Sequence, residues 1–156
     1  MIKVLFVCLG NICRSPMAEA VFRDKVHHAG LNQKIEVDSA GTGDWHIGHP
    51  PHEGTRKKLD DIGISYEGMK GRQIRLQDFI DFDYIIAMDE SNQRDIEDLM
   101  DHSGQAKVIR FMSLLEDKPS KSVPDPYYTG NFDEVYDLVN KGTEALLQMI
   151  IDEHLK

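Results

Sequence analysis

Short apolar runs of the kind that form buried strands alternate along this chain with segments of helical periodicity. The predicted strands are residues 4–7, 35–40, 84–88 and 107–111. The predicted helices are residues 16–28, 52–62, 77–82, a segment from 89 or 91 to 100, and a closing segment from 132 to 150, with a long polar loop at 116–131. Strands that alternate with helices pair in parallel through right-handed crossovers. The pattern therefore predicts an α/β fold whose parallel sheet is covered by helices on both faces.

The first predicted strand leads into a run that combines a loop with a helix start: Cys8-Leu9-Gly10-Asn11-Ile12-Cys13-Arg14-Ser15-Pro16. Gly10 and Asn11 readily adopt positive φ, which suits a tight loop. Ser15 is a good N-cap and Pro16 fits the first helical position, so the loop is predicted to close on a helix N-terminus. The backbone N–H groups and the dipole at such an end favour a tetrahedral oxyanion.

Cys8 and Arg14 give this loop its predicted chemistry. A cysteine among these amides is held as the thiolate, which is the form that attacks. The planar fork of Arg14 suits two phosphate oxygens. A cysteine and an arginine at this spacing also occur by chance, and a buried cysteine often only fills space at a strand end. The strand-like run before the motif and the Arg-Ser-Pro sequel favour a phosphate-binding nucleophile instead.

Asp125, in Val123-Pro124-Asp125-Pro126-Tyr127-Tyr128, is the candidate general acid. A thiolate that attacks a phosphate monoester must expel an oxyanion, and that step needs a proton donor. The flanking prolines leave the carboxylate few local partners. Tyr127 and Tyr128 suit the wall of a cleft for an aromatic ring. The alternative is a plain turn whose tyrosines cover the core.

Other polar and aromatic residues are weaker candidates. Trp45 follows the second strand in a Gly-rich loop and is either core or a ligand wall. Ser39 either braces the anion loop or is an ordinary strand-end hydroxyl. Asp89 is interpreted as a helix N-cap. His49 and His52 form no convincing zinc site with the two cysteines, so no metal and no other cofactor is expected.

Composition sets the broad class of the protein. With 156 residues, a single domain over residues 1–156 is expected. A formal charge of −9 argues against nucleic acid or an anionic membrane as the main partner. Two cysteines make no disulfide framework and favour a reducing cytoplasm. Polar residues interrupt the N-terminal apolar run, which argues against a signal peptide but leaves secretion by another route open. The chain is expected to be a monomer or a weak dimer.

Several of these motifs resemble those of the low-molecular-weight protein tyrosine phosphatase family. The matching segments are residues 7–16, Ser39-Ala40-Gly41-Thr42 with Trp45, Met88-Asp89-Glu90-Ser91-Asn92, and Asp125-Pro126-Tyr127-Tyr128. The resemblance covers essentially the whole chain. It implies a flavodoxin-like three-layer fold with a four-stranded parallel sheet, and a two-step hydrolysis without metal.

The resemblance also implies a role for each site residue. Cys8 forms a phosphocysteine, Arg14 binds phosphate and the transition state, and Asp125 protonates the leaving phenol and then activates water. Ser15 bonds the Cys8 sulfur. The implied substrate-binding residues are Leu9, Gly10, Asn11, Ile12, Cys13, Ser15, Ser39, Trp45, Tyr127 and Tyr128. The chain departs from the family at Met69, where a histidine is usual, so a hydrogen bond from that position to Asp89 is in doubt.

The implied partners are tyrosine-phosphorylated proteins or small aryl phosphates. Arsenate reductases of this fold need further cysteines downstream, and this chain has none after Cys13. Protein arginine phosphatases share the scaffold but tend to have a smaller residue at the position of Ile12. A non-catalytic phosphoprotein-binding module is expected to lack Cys8, Arg14 or Asp125, and this chain has all three. Cys13 either packs in the core or forms a protective disulfide with Cys8.

Overall fold

The computed structural model describes residues 1–100, 104–115 and 122–155, and within these ranges four strands form one parallel sheet in the order β2-β1-β3-β4. The strands are β1 (Ile2–Cys8), β2 (Ile35–Gly41), β3 (Tyr84–Ala87) and β4 (Lys107–Arg110). The helices are α1 (Arg14–His28), α2 (Glu53–Asp61), α3 (Asp78–Asp81), α4 (Glu90–Leu99), α5 (Pro126–Thr129) and α6 (Phe132–Ile150). A 3₁₀ turn spans Phe111–Leu114 and a π-helical turn spans Ile151–Leu155.

Two apolar cores cover the two faces of the sheet. Alternate residues of β1 point to opposite faces, so Phe6 joins the core beneath α1 and α6, whereas Leu5 joins the core that includes Ile96 of α4. The rings of Phe6 and Phe22 meet edge to face with centroids 5.6 Å apart. Replacing either ring by alanine is expected to cost about 3–5 kcal/mol. The predicted three-layer α/β fold is confirmed.

The order of the strands determines at which edge of the sheet a ligand can bind. The chain moves from β1 outward to β2, and then returns to place β3 on the other side of β1. In such sheets ligands bind at the carboxyl ends of the strands, where the order reverses. Cys8 ends β1, and Met88 and Asp89 follow β3 directly. These residues therefore meet at one edge.

The structure corrects several predicted boundaries. Helix α1 begins at Arg14, and Ser15 is not its N-cap because the Ser15 hydroxyl contacts the sulfur of Cys8. Asp89, and not Ser91, caps α4. The long polar loop is interrupted by helix α5, and residues 116–121 of that prediction lie outside the described residues.

Candidate active site

The Cys8 sulfur lies at the carboxyl end of β1, and the residue is only 2% exposed. Two donors approach it: the backbone N–H of Asn11 at 3.3 Å and the hydroxyl of Ser15 at 3.0 Å. The Ser15 oxygen already accepts a hydrogen bond from Asn11 Nδ2, at 2.8 Å, so its own proton is free to point at the sulfur. Both donors stabilise a thiolate, as does the N-terminus of α1.

Asn11 fixes the shape of the loop that joins β1 to α1. It has a φ of 57° and is the one non-glycine residue with positive φ among those described. Its side-chain oxygen accepts from the backbone N–H of Arg72 at 2.9 Å, and its amide nitrogen donates to the Ser39 hydroxyl at 2.9 Å. Ser39 therefore braces this loop through Asn11. The side chains of Asn11, Ser15 and Ser39 are all buried and do not line the cleft, so they support the loop from behind.

Arg14 lies below the loop with its side chain 3% exposed. Nη1 donates to Asp89 Oδ2 at 2.6 Å and to the Val123 carbonyl at 3.2 Å, and Nη2 donates to Asp125 Oδ2 at 3.3 Å. Burial alone lowers the pKa of Arg14, but Cys8 and the two carboxylates outweigh it and the pKa rises. Arg14 is therefore a fixed cation beside the sulfur.

Asp125 reaches the site because its segment is tied to the end of β3. The backbone N–H of Val123 donates to the Met88 carbonyl at 3.0 Å. Asp125 Oδ1 also accepts from the Tyr127 backbone N–H at 3.1 Å and caps α5. The Tyr127 N–H is a local partner of this carboxylate, and Arg14, which donates to the other oxygen, lies 111 residues away in the chain.

A cavity of about 370 Å³ opens above the sulfur. It joins the reactive residues to an aromatic rim, and its lining is Cys8, Leu9, Gly10, Ile12, Cys13, Arg14, Trp45, His46, Asp125, Tyr127 and Tyr128. Trp45, Tyr127 and Tyr128 are 64%, 56% and 78% exposed, so they are rim residues and not core. The cavity therefore combines an anion-binding floor with walls suited to a flat apolar group.

Cys13 differs chemically from Cys8. Burial, followed by the nearby Cys8 and Asp125, raises the pKa of the Cys13 thiol to about 12. Cys13 therefore stays protonated at neutral pH. Both cysteines are free thiols, which leaves a disulfide between them as a prediction.

Three residues near the site were missed or only partly identified from the sequence. His46 lines the cavity beside Trp45. Asp89 caps α4 as expected but also holds Arg14. Glu19 is buried in α1 and accepts from Ser39. The sequence could have indicated that Glu19 is buried, because it is a carboxylate within the apolar run at residues 17–22.

Within the described ranges, no group of three histidine, cysteine, aspartate or glutamate residues is arranged to hold a metal ion. No helix in the same ranges is long and apolar enough to cross a bilayer.

The fold and the site together define a cysteine-dependent phosphatase of the α/β class. The family model described as low molecular weight phosphotyrosine protein phosphatase matches residues 3–156. The chain is 54% identical over 153 residues to the low molecular weight protein-tyrosine-phosphatase YfkJ of Bacillus subtilis (strain 168), covering 98% of each chain. It is 46% identical over 159 residues to PtpA of Staphylococcus aureus (strain MRSA252), covering 100% of this chain and 99% of that one.

Solved structures agree with the sequence matches. The crystal structure of Bacillus subtilis YfkJ superimposes with a TM-score of 0.95 and covers 99% of this chain and 97% of that chain. The Drosophila arginine phosphatase DARP superimposes with a TM-score of 0.88 at 38% identity and covers 95% of this chain and 97% of that chain. The chain belongs to the low molecular weight phosphotyrosine protein phosphatase family, which confirms the predicted resemblance and makes it a protein-tyrosine phosphatase that works through a phosphocysteine.

Proposed function

We propose that Cys8, Arg14 and Asp125 carry out the two steps of phosphotyrosine hydrolysis. In the first step the Cys8 thiolate forms an S–P bond while the P–O bond to the tyrosine breaks, and Asp125 gives its proton to the departing oxygen. In the second step water attacks phosphorus and passes a proton to Asp125. The S–P bond then breaks, which releases inorganic phosphate and the thiolate.

The observation that carries this assignment is that Asp125, which lies 111 residues from Arg14 in the chain, reaches the same cavity as Cys8 and Arg14. Arg14 donates to Asp125 at 3.3 Å, and both residues line the same cavity as Cys8. The residues of the loop supply backbone N–H groups at the start of α1, which complement the charge on the phosphate oxygens. A module that only binds phosphoproteins needs no general acid in this position.

The first test replaces the nucleophile and the cation separately. Cys8→Ser should abolish turnover of p-nitrophenyl phosphate while inorganic phosphate still binds and the protein stays folded. Arg14→Lys should lower kcat as well as raise KM, because a point charge cannot bind two equatorial oxygens at once. Near-normal hydrolysis by Cys8→Ser removes Cys8 as the nucleophile. An unchanged kcat in Arg14→Lys limits Arg14 to binding of the ground state.

The second test uses Asp125→Asn. Asparagine remains a good N-cap and can still accept from the Tyr127 N–H, so this variant removes the acid and preserves the start of α5. A series of aryl phosphates should then show much steeper dependence of rate on leaving-group basicity than in wild type. If the slope is no steeper, Asp125 serves only as a cap.

The preferred substrate is a phosphotyrosine side chain in a protein, or a small aryl phosphate. The rim of Trp45, Tyr127 and Tyr128, with Ile12 in the lining, favours a flat ring over a flexible chain. The structural similarity to DARP, named as an arginine phosphatase, makes phosphoarginine the second candidate. A parallel kinetic comparison of phosphotyrosine, phosphoserine and phosphoarginine peptides decides between them. A higher kcat/KM for phosphoarginine contradicts the first choice.

The expected setting is a reducing cytoplasm, because the proposed nucleophile must remain a thiol to act. One phosphatase domain over residues 1–156 is supported by two cores that share one sheet. A monomer or weak dimer remains the expectation, and light scattering over a range of concentrations measures it.

A further inference from the structure

Glu19 is a buried carboxylate behind the phosphate loop that the reaction steps above do not use. It lies in α1, is only 5% exposed and contacts Arg23 one turn later. Burial raises the pKa of Glu19, while Arg23 and Ser39 oppose that shift. Burying a carboxylate is costly unless its oxygens are well matched with donors.

The donors around Glu19 begin with the amide of Asn11. Its oxygen is committed to the backbone N–H of Arg72, which can only donate. The Asn11 nitrogen must therefore face the other way, and its two protons go to the hydroxyl oxygens of Ser15 and Ser39 at 2.8 and 2.9 Å. Both serine oxygens are acceptors toward Asn11.

Each serine then has one proton left to donate. Ser39 donates to Glu19 Oε1 at 2.6 Å. The Ser15 hydroxyl lies 3.0 Å from the Cys8 sulfur, and it is the donor when Cys8 is a thiolate, which can only accept. The result is a hydrogen-bond chain whose donors all point outward from Asn11 and whose two ends are Glu19 and Cys8.

We propose that Glu19 is a positioning residue for the Cys8 thiolate, because its carboxylate holds Ser39 as an acceptor for Asn11 and so keeps the Ser15 proton directed at the sulfur. The inference rests on the proposed role of Cys8 as nucleophile. An ionised carboxylate can accept a proton from Ser39 but cannot give one back, whereas a water or hydroxyl at this position permits the reverse orientation. Without that acceptor, Ser39 turns away from Asn11, and Asn11 loses one of the contacts that hold its positive φ.

Because Arg23 neutralises Glu19, Glu19 acts on Cys8 by orienting hydrogen bonds and not through its charge. Its Nη2 pairs with Glu19 Oε2 and also donates to the Val37 carbonyl at 3.1 Å. The other charged group near Glu19 is Asp38, which is partly buried and pairs with Arg72. The Glu19–Arg23 pair carries no net charge, so its direct field at Cys8 is small.

The test compares Glu19→Leu with Glu19→Gln by the rate at which iodoacetamide alkylates Cys8 as a function of pH. Leucine removes the acceptor, so the alkylation profile should move to higher pH and kcat should fall about tenfold, with KM changed less. Glutamine can keep its oxygen on Ser39 with its nitrogen in the place of Oε2, because the Arg23 side chain is about half exposed and can turn to solvent, so the profile should stay close to wild type. The charged and titratable groups around the sulfur are the same in both variants: Cys13, Arg14, Asp89 and Asp125.

The matched control is Thr143→Val, which removes a buried hydroxyl that bonds only within α6. It should lower stability without moving the alkylation profile. If Glu19→Leu does not fold, Ser39→Ala breaks the same chain with Glu19 intact and should move the profile in the same direction.

A folded Glu19→Leu enzyme, or Ser39→Ala in its place, with the wild-type profile overturns the proposal. A Glu19→Gln profile displaced as far as that of leucine also overturns it, because the carboxylate charge and not its accepting oxygen is then responsible. Failure of the proposed function is distinguished by a different experiment, because it would appear as continued turnover by the Cys8→Ser variant.

Discussion

Replacing Asp89 separates two roles that its carboxylate performs at once. Oδ1 accepts from the Asn92 backbone N–H at 2.7 Å and caps α4, and Oδ2 accepts from Arg14 Nη1 at 2.6 Å. Asparagine has one accepting oxygen, so Asp89→Asn can satisfy only one of these donors. Alanine satisfies neither.

The size of each loss follows from the burial of the two donors. A helix N-cap contributes about 1 kcal/mol, and a hydrogen bond to a charged, buried group contributes about 1.5–3 kcal/mol. The asparagine oxygen should therefore turn to Arg14, and Asp89→Asn should lose about 1 kcal/mol of unfolding free energy. Asp89→Ala should lose about 3 kcal/mol. A displaced Arg14 should also lower kcat about a hundredfold in the alanine variant, and less than tenfold in the asparagine variant.

Urea unfolding followed by circular dichroism, together with kcat and KM for p-nitrophenyl phosphate, measures both effects. The matched control is Asn131→Ala, which removes the cap that accepts from the Glu134 N–H of α6 at 3.0 Å. That variant should lose about 1 kcal/mol without a change in kcat. Equal losses of stability and of kcat in Asp89→Asn and Asp89→Ala refute the division into two roles.

Three further predictions concern the rim, the buried carboxylate and oxidation. The Trp45 ring lies against Gly43, and a Cβ added at Gly43 would overlap the ring. Gly43→Ala should therefore displace the ring and raise KM for aryl phosphates about threefold or more, while inhibition by phosphate stays unchanged. An unchanged KM contradicts this prediction. Burial raises the pKa of Glu19 above its unfolded value, so the stability of wild type relative to Glu19→Gln is greatest below about pH 4 and is lost as pH rises through the folded value. Urea unfolding at several pH values measures this difference, and a relative stability that grows with pH is the contrary result. Brief peroxide treatment should form a Cys8–Cys13 disulfide that dithiothreitol reverses, detected as a mass loss of about two daltons; recovery of Cys13→Ser equal to that of wild type argues against protection.

The loop around Cys8 could be predicted because its chemistry is local. Cys8, Asn11 and Arg14 lie within one loop and the first turn of one helix, so neighbouring residues alone indicated an anion-binding turn. The Ser15 hydroxyl shows the limit of this reasoning. A serine before a proline is typical of an N-cap, and only the folded loop shows that the Ser15 hydroxyl lies 3.0 Å from the Cys8 sulfur instead.

Asp89 and Asp125 depend on strand order, which local patterns do not contain. Asp89 follows β3, and β3 lies beside β1 only because the chain returns across the sheet after β2. Asp125 reaches Arg14 because Val123 bonds the end of β3. The sequence indicated that Asp125 is a candidate general acid but not that it contacts Arg14. For Asp89 it indicated the helix N-cap but not the hydrogen bond from Arg14.

Arg14 binds its two carboxylates unequally, and this difference leads to a last prediction. Nη1 donates to Asp89 at 2.6 Å and to the Val123 carbonyl at 3.2 Å, whereas Nη2 donates to Asp125 at 3.3 Å. Nε is buried without a hydrogen-bond partner among the described residues, so Nε and Nη2 form the edge of the guanidinium that suits two phosphate oxygens.

A phosphate that binds this edge must displace Asp125, and the displaced carboxyl group is then free to turn toward the leaving oxygen. Removing its charge removes the competitor, so Asp125→Asn should bind inorganic phosphate about three- to tenfold more tightly than wild type, measured as competitive inhibition. Asp89→Asn is the comparison, because its side chain faces Nη1 and should not strengthen phosphate binding. Weaker phosphate binding by Asp125→Asn than by wild type contradicts the exchange, since it means that Asp125 assists the bound phosphate and does not compete with it.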